Sequence, residues 1–141
     1  MSTVRAALTQ TVNAFNDMPD SVAGLASLKN RLDDVRAANV DHNVALIEAA
    51  ASAGAKIVCL GELCTGPYFA MTKDPMWLAL AEDAAVGPSV AAFAKAAAAN
   101  GIVVVAPIYE LDAKAKKRFN TAVVIEADGV ILGKYRKTHI P

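Results

Sequence analysis

Glu62 closes the apolar run Ile57-Val58-Cys59-Leu60-Gly61, and Lys137 closes Gly133-Lys134-Tyr135-Arg136. A carboxylate at the C-terminal end of a buried strand stands where α/β folds place their sites. Burial there would raise its pKa and suit it to general-base work. An ammonium beside a reacting carbonyl would stabilise a developing oxyanion. Position alone does not separate Glu62 from a solvated loop glutamate, or Lys137 from an edge-strand lysine. A nucleophile is the part not found. Nucleophilic cysteines need a lowered pKa and access, and the loop around Cys64 offers no nearby histidine. Cys59 lies mid-strand and reads as a small core residue. The spacing Cys59-x4-Cys64 is followed by no second ligand pair, so zinc is not expected. His42, beside Asp41, reads as a solvated helix histidine. The run Lys114, Lys116, Lys117 and Arg118 reads as a solvated hairpin tip.

These residues need a scaffold, and the apolar spacing supplies one. Strands are expected over 4–9, 56–60, 102–109, 119–126 and 130–135. Leu25, Leu28, Leu32 and Val35 recur at helical spacing, as do Val40, Val44, Ile47 and Ala51, with Gly54 placed to end the second stripe. The two stripes form one bent helix or two. Gly87-Pro88-Ser89 opens a further helix that Asn100-Gly101 closes. Residues 61–75, with their glycines, prolines and aromatic pair, read as loop. Asp128-Gly129 signals a type I′ hairpin. The order is α/β with antiparallel pairing at the end. The runs Ile102-Val103-Val104-Val105-Ala106 and Ala122-Val123-Val124-Ile125 are apolar on both faces, yet the helices in the chain cover only one.

Composition narrows the class. With 55% hydrophobic and 20% charged residues, the 141-residue chain is globular. Fourteen basic residues balance fourteen acidic ones, which gives no reason to expect nucleic acid or an anionic membrane as partner. No apolar run is long enough to span a bilayer. The opening Met1-Ser2-Thr3-Val4-Arg5 has no long apolar core, so a reduced, cytoplasmic setting is expected.

Taken in order, Arg5-Ala6-Ala7-Leu8-Thr9-Gln10, Leu60-Gly61-Glu62, Asn120-Thr121-Ala122, Asp128-Gly129 and the ending Tyr135-Arg136-Lys137-Thr138-His139-Ile140-Pro141 resemble the nitrilase superfamily, the carbon–nitrogen hydrolases. The ending looks most like the branch that hydrolyses N-carbamoyl compounds, the β-ureidopropionases and N-carbamoylputrescine amidases. Gly61 departs from the proline the family often has there. The resemblance covers essentially residues 1–141, as the N-terminal half of an α-β-β-α sandwich. It implies Glu62 as general base, Lys137 as oxyanion-stabilising cation, and a cysteine nucleophile lying beyond Pro141. Tyr68 and Phe69 would shape the pocket or anchor its loop, and His139 would meet a substrate carboxylate or simply bond within its loop. No cofactor is implied. The expected partners are a small amide or N-carbamoyl substrate and either a second copy or the C-terminal half. A catalytically silent fragment that acts only by assembly is the competing expectation, and a nitrile hydrolase or acyltransferase is a third.

Overall fold

The computed structural model describes residues 3–139, so Met1, Ser2 and the Ile140-Pro141 end of the sequence motif lie outside it. Strand β1 (Ala6–Leu8) leads to helix α1 (Leu32–Ser52), β2 (Ile57–Cys59), helix α2 (Pro88–Asn100), β3 (Val103–Asp112), β4 (Lys117–Ile125) and β5 (Ile131–Arg136). The five strands form one sheet in sequential order, with β1, β2 and β3 parallel and β3, β4 and β5 antiparallel. Both parallel crossovers step the same way across the sheet. Right-handed crossovers in one direction put their helices on one face, so α1 and α2 pack side by side and the other face is left open. Among the described residues, no helix is long and apolar enough to cross a membrane.

Helix α2 forms where its boundary residues specify it. Pro88 occupies the first turn, where its missing N–H costs nothing, and Gly101 closes the helix at φ +59°. The first apolar stripe does not continue into α1 as one helix. Val22–Leu28 forms a 3₁₀ segment, and α1 starts afresh at Leu32. The face that α1 buries contains Leu32, Val35, Val40 and Ile47, and also Asn39 and Asn43. The two asparagines are buried because each ties a loop to the helix. Asn39 Nδ2 donates to Asn13 Oδ1 at 2.8 Å, and Asn43 Nδ2 donates to the Cys64 carbonyl at 3.0 Å. Residues 61–75 are not all loop, since Phe69–Met71 is a 3₁₀ turn and a second follows at Pro75–Leu80. That second turn inserts Trp77 into a cluster with Phe15, Leu25, Leu28, Val35 and Leu80.

The hairpin at Asp128-Gly129 is present, but its turn is not type I′. That turn needs two successive positive φ values, and only Gly129 has one, at +87°. The Gly129 N–H closes onto the Glu126 carbonyl at 2.8 Å, and the β4–β5 register shifts at Val124/Ile125. This is the bulge-type hairpin. A Cβ on Gly129 would lie 2.8 Å from the Ala94 carbonyl oxygen of α2, so close packing on the helix also demands glycine.

Alternation along β3 and β4 decides which side chains meet the helices. Val104, Ala106, Ile108, Val123 and Ile125 are fully buried against them. Val103, Val105, Pro107, Ala122 and Val124 point to the open face and stay half-buried, while Leu8 and Tyr135 at its margins are 84% and 64% exposed. Cys59 also lies half-buried on that face, so it is not a core residue.

Two carboxylates are buried among the described residues: Glu82, which accepts from the Ser89 N–H at 2.9 Å at the start of α2, and Glu110. Glu110 on β3 is 1% exposed. It accepts hydrogen bonds from Thr121 Oγ1 at 2.6 Å, from Arg136 Nε at 2.9 Å, and from Lys134. Arg136 also pairs with Asp112 at 2.8 Å and lies over the Phe119 ring at 3.8 Å. Burial by itself would raise the Glu110 carboxyl, but the bonds from Arg136, Lys134 and Thr121 outweigh it and hold the pKa at about 2.

Two expectations follow. These 141 residues alone should associate and bind ANS, because a contiguous apolar sheet face is left without cover. Val124→Lys should reduce both while leaving the helix-side core intact. A compact monomer that ignores the dye in light scattering and fluorescence would contradict this. Glu110→Gln should cost about 2 to 3 kcal/mol in urea unfolding. That is below the range for a fully buried pair, since both cations reach solvent. Because the folded pKa is depressed, the difference from the parent should be complete above about pH 4.5 and vanish as the pH falls through about 2.

Candidate active site

The open face turns polar at the C-terminal ends of β2 and β3. Leu60 N–H still donates to Val105 O at 3.0 Å, so Gly61 and Glu62 leave the sheet directly from its last bond. Leu63 then adopts φ +51°, a conformation a leucine takes only under local constraint, and its side chain turns into the interior. The chain is pinned again by the Cys64 N–H to Pro107 O at 2.9 Å and by Asn43 on the Cys64 carbonyl. Glu62 is thus held on a short, doubly tethered bend and not on a free loop.

Lys137 arrives from the opposite edge. Its N–H donates to Asn120 O at 2.8 Å, extending the β4–β5 ladder by one residue past Arg136. Alternation puts Lys134 and Arg136 on the helix side, at Glu110, and turns Lys137 to the open side. Lys137 Nζ reaches Glu62 Oε1 at 2.8 Å, and Asn120 Nδ2 donates to the same oxygen at 2.6 Å. Among the described residues Oε2 makes no hydrogen bond, so one carboxylate oxygen remains available to accept a proton.

The pair is 39% and 42% exposed, not buried. The expectation of a raised Glu62 pKa is therefore corrected. The Lys137 hydrogen bond is the largest influence and lowers it, burial pulls the other way, and the Asn120 bond lowers it further. The same contact raises Lys137. At neutral pH the site holds an ionised carboxylate and a charged ammonium in contact. It can take a proton with one and stabilise an oxyanion with the other.

Both groups line a cleft of about 310 Å³ whose walls include Tyr68, Phe69, Tyr109, Phe119, Asn120 and Arg118. Phe69 serves as wall and as anchor, since its ring centroid lies 5.0 Å from Tyr109 and 6.0 Å from Trp77. Tyr68 is 50% exposed at the mouth. His139 is exposed and does not line the cleft. His42 is not solvated on its helix, because Nε2 lies 2.7 Å from Thr11 Oγ1. Cys64 is buried, and desolvation pushes its thiol up to about 12, which removes it as a nucleophile. Among the described residues, no group of three or more His, Cys, Asp or Glu side chains lies together as metal ligands.

Sequence reasoning missed Arg118 and Tyr109. Counting back by two from Asn120 along β4 reaches Arg118 on the same face, and Tyr109 is the β3 partner of Asn120. The basic run hid the first signal, because Arg118 belongs to the strand and not to the solvated tip.

The carbon–nitrogen hydrolase family model matches residues 24–141. A beta-ureidopropionase of Arabidopsis thaliana is 39% identical over 97 residues, 68% of this chain and 24% of that protein. An N-carbamoylputrescine amidase of Oryza sativa subsp. japonica is 33% identical over 121 residues, 86% of this chain and 40% of that protein. The crystal structure of a carbon–nitrogen hydrolase from Helicobacter pylori G27 superposes with a TM-score of 0.67 at 33% identity, covering 75% of this chain and 36% of that one. The chain therefore spans well under half the length of these relatives.

The contact itself is open to measurement. Lys137→Met should raise the Glu62 carboxyl toward its ordinary value of about 4.5, read by carbon-detected NMR titration. Stability should barely change, because the pair is solvated. An unmoved Glu62 titration would mean the contact does not persist in solution.

Proposed function

This chain belongs to the carbon–nitrogen hydrolase family, and from that premise we propose that it carries the base and the oxyanion cation of an enzyme cleaving a non-peptide C–N bond in an amide or N-carbamoyl compound. The observation that supports this most is the Lys137 Nζ to Glu62 Oε1 contact of 2.8 Å at the mouth of an aromatic-walled cleft. Cys64 is buried and Cys59 does not line the cleft, which supports a nucleophilic thiol supplied from outside these residues.

In this reading Glu62 takes the thiol proton as sulfur bonds to the carbonyl carbon, and Lys137 holds the oxyanion. The C–N bond then breaks, and Glu62 returns the proton to the departing ammonia or amine. Glu62 next deprotonates water, which cleaves the thioester, releases the acid or carbamate, and restores the thiol. Asn120 fixes Glu62 Oε1 and, through its backbone carbonyl, the Lys137 backbone, so one residue sets the distance between base and cation. The open apolar face favours pairing with a further sheet or a second copy, and the 141 residues by themselves are expected to be inactive.

The full-length polypeptide, incubated with N-carbamoyl-β-alanine, should release ammonia. Glu62→Gln should leave circular dichroism unchanged and cut turnover by about 100-fold or more. Near-parental turnover in Glu62→Gln would remove the base assignment. A thioester on Cys64, found by intact mass, would replace the outside nucleophile.

A further inference from the structure

Glu62 stands between two clefts. Lys137 lines the aromatic-walled one with it, whereas a second cleft, of about 370 Å³, takes in Glu62 together with Thr9, Thr11, Asn13 and Gly61. Among the described residues no lysine, arginine or histidine lines this second cleft, and Glu62 is its one carboxylate. Neutral hydrogen-bonding side chains beside an anion suit an amine, and they offer an anionic group nothing to pair with. Gly61 is not explained by the fold. Its φ is not positive, and an added Cβ would have Thr11 Cγ2, at 3.9 Å, as its nearest neighbour. That distance is ordinary contact, so neither backbone strain nor close packing demands a glycine there, in contrast to Gly129. What the missing side chain leaves is room in the wall of the second cleft, directly before Glu62.

Resting on the hydrolase reading, we propose that the second cleft receives the departing amine and that Gly61 sets the size of amine it takes. The substrate class is then an N-substituted amide or ureide whose leaving amine carries a short polar substituent. Lys137 lines the first cleft and not the second, so the oxyanion and the acyl part belong in the first. Glu62 lines both, and can hand the proton taken from the thiol to a nitrogen on its far side. As the carbonyl re-forms, the C–N bonding pair passes to that nitrogen, which takes the proton from Glu62 and leaves as the neutral amine. The space it vacates admits the water that Glu62 then deprotonates, and a neutral polar wall accommodates both.

The test uses the full-length polypeptide, with ethanolamine and ammonium as the amine probes. Titration followed by NMR should give about 10-fold tighter binding of ethanolamine, with the largest shifts at the Gly61 and Thr11 amides. Gly61→Val should erase that difference, and Gly61→Ala should keep part of it, with circular dichroism matching the parent. If the valine variant unfolds, the alanine variant carries the same comparison. In turnover, N-hydroxyethylcarbamoyl-β-alanine should release ethanolamine, and its kcat/KM relative to that of N-carbamoyl-β-alanine should fall by about 10-fold or more in Gly61→Val. Equal binding of the two amines by the parent, or a turnover ratio that Gly61→Val does not move, overturns the proposal. Gly61-dependent ethanolamine binding with no turnover of either ureide keeps the amine site and removes the hydrolase reading. Ammonia release from N-carbamoyl-β-alanine without ethanolamine binding does the reverse.

Discussion

A buried carboxylate one strand away governs the mouth of the cleft. Glu110 lies between the sheet and the layer that covers it, and an ionised group there is tolerated only with its lone pairs filled. Thr121, Lys134 and Arg136 fill them. Two of these three come from β5, so the pairing that neutralises Glu110 also locks the face and register of that edge strand. With a period of two, a slip by one residue would send Lys137 to the helix side and Arg136 to the cleft. The hairpin bulge at Gly129 and the Glu110 cluster act at opposite ends of β5 toward the same register.

The Glu62–Lys137 contact needs this support because it contributes little to stability itself. Exposed pairs are worth at most about 1 kcal/mol. Its value lies in placement. The tether at Cys64, the strained turn at Leu63 and the double role of Asn120 hold two oppositely charged groups at the end of the sheet before any ligand arrives. In the proposed reaction the contact also changes strength at a useful moment. As Lys137 turns its charge to an oxyanion, the largest influence lowering Glu62 weakens, and the carboxylate becomes a stronger base. The ground-state pair keeps Glu62 ionised, and the reacting state makes it basic.

Much of the scaffold was legible in the residue pattern because its signals are local. The β-branched runs gave the strands, Pro88 and Gly101 bracketed α2, and the end of the β2 run pointed to Glu62. What the pattern left unread depends on contacts distant in sequence. The burial of Asn39 and Asn43 follows only from the loops they hold, and that of Trp77 only from the cluster it joins. The direction of the Glu62 shift reversed because burial was inferred from the strand, while Lys137 arrives from 75 residues away. Arg118 was submerged in a basic run, although its parity with Asn120 already placed it on the site face.

In the proposed reaction Glu62 and Lys137 work as one unit held by the β4–β5 register. A double-mutant cycle on kcat/KM in the full-length polypeptide addresses it most directly, using Glu62→Gln, Lys137→Met and the two combined. Residues that act as a unit are strongly non-additive, so the double variant should be about as slow as the slower single one. Losses that multiply independently, with each single variant keeping the other's contribution, would contradict the claim.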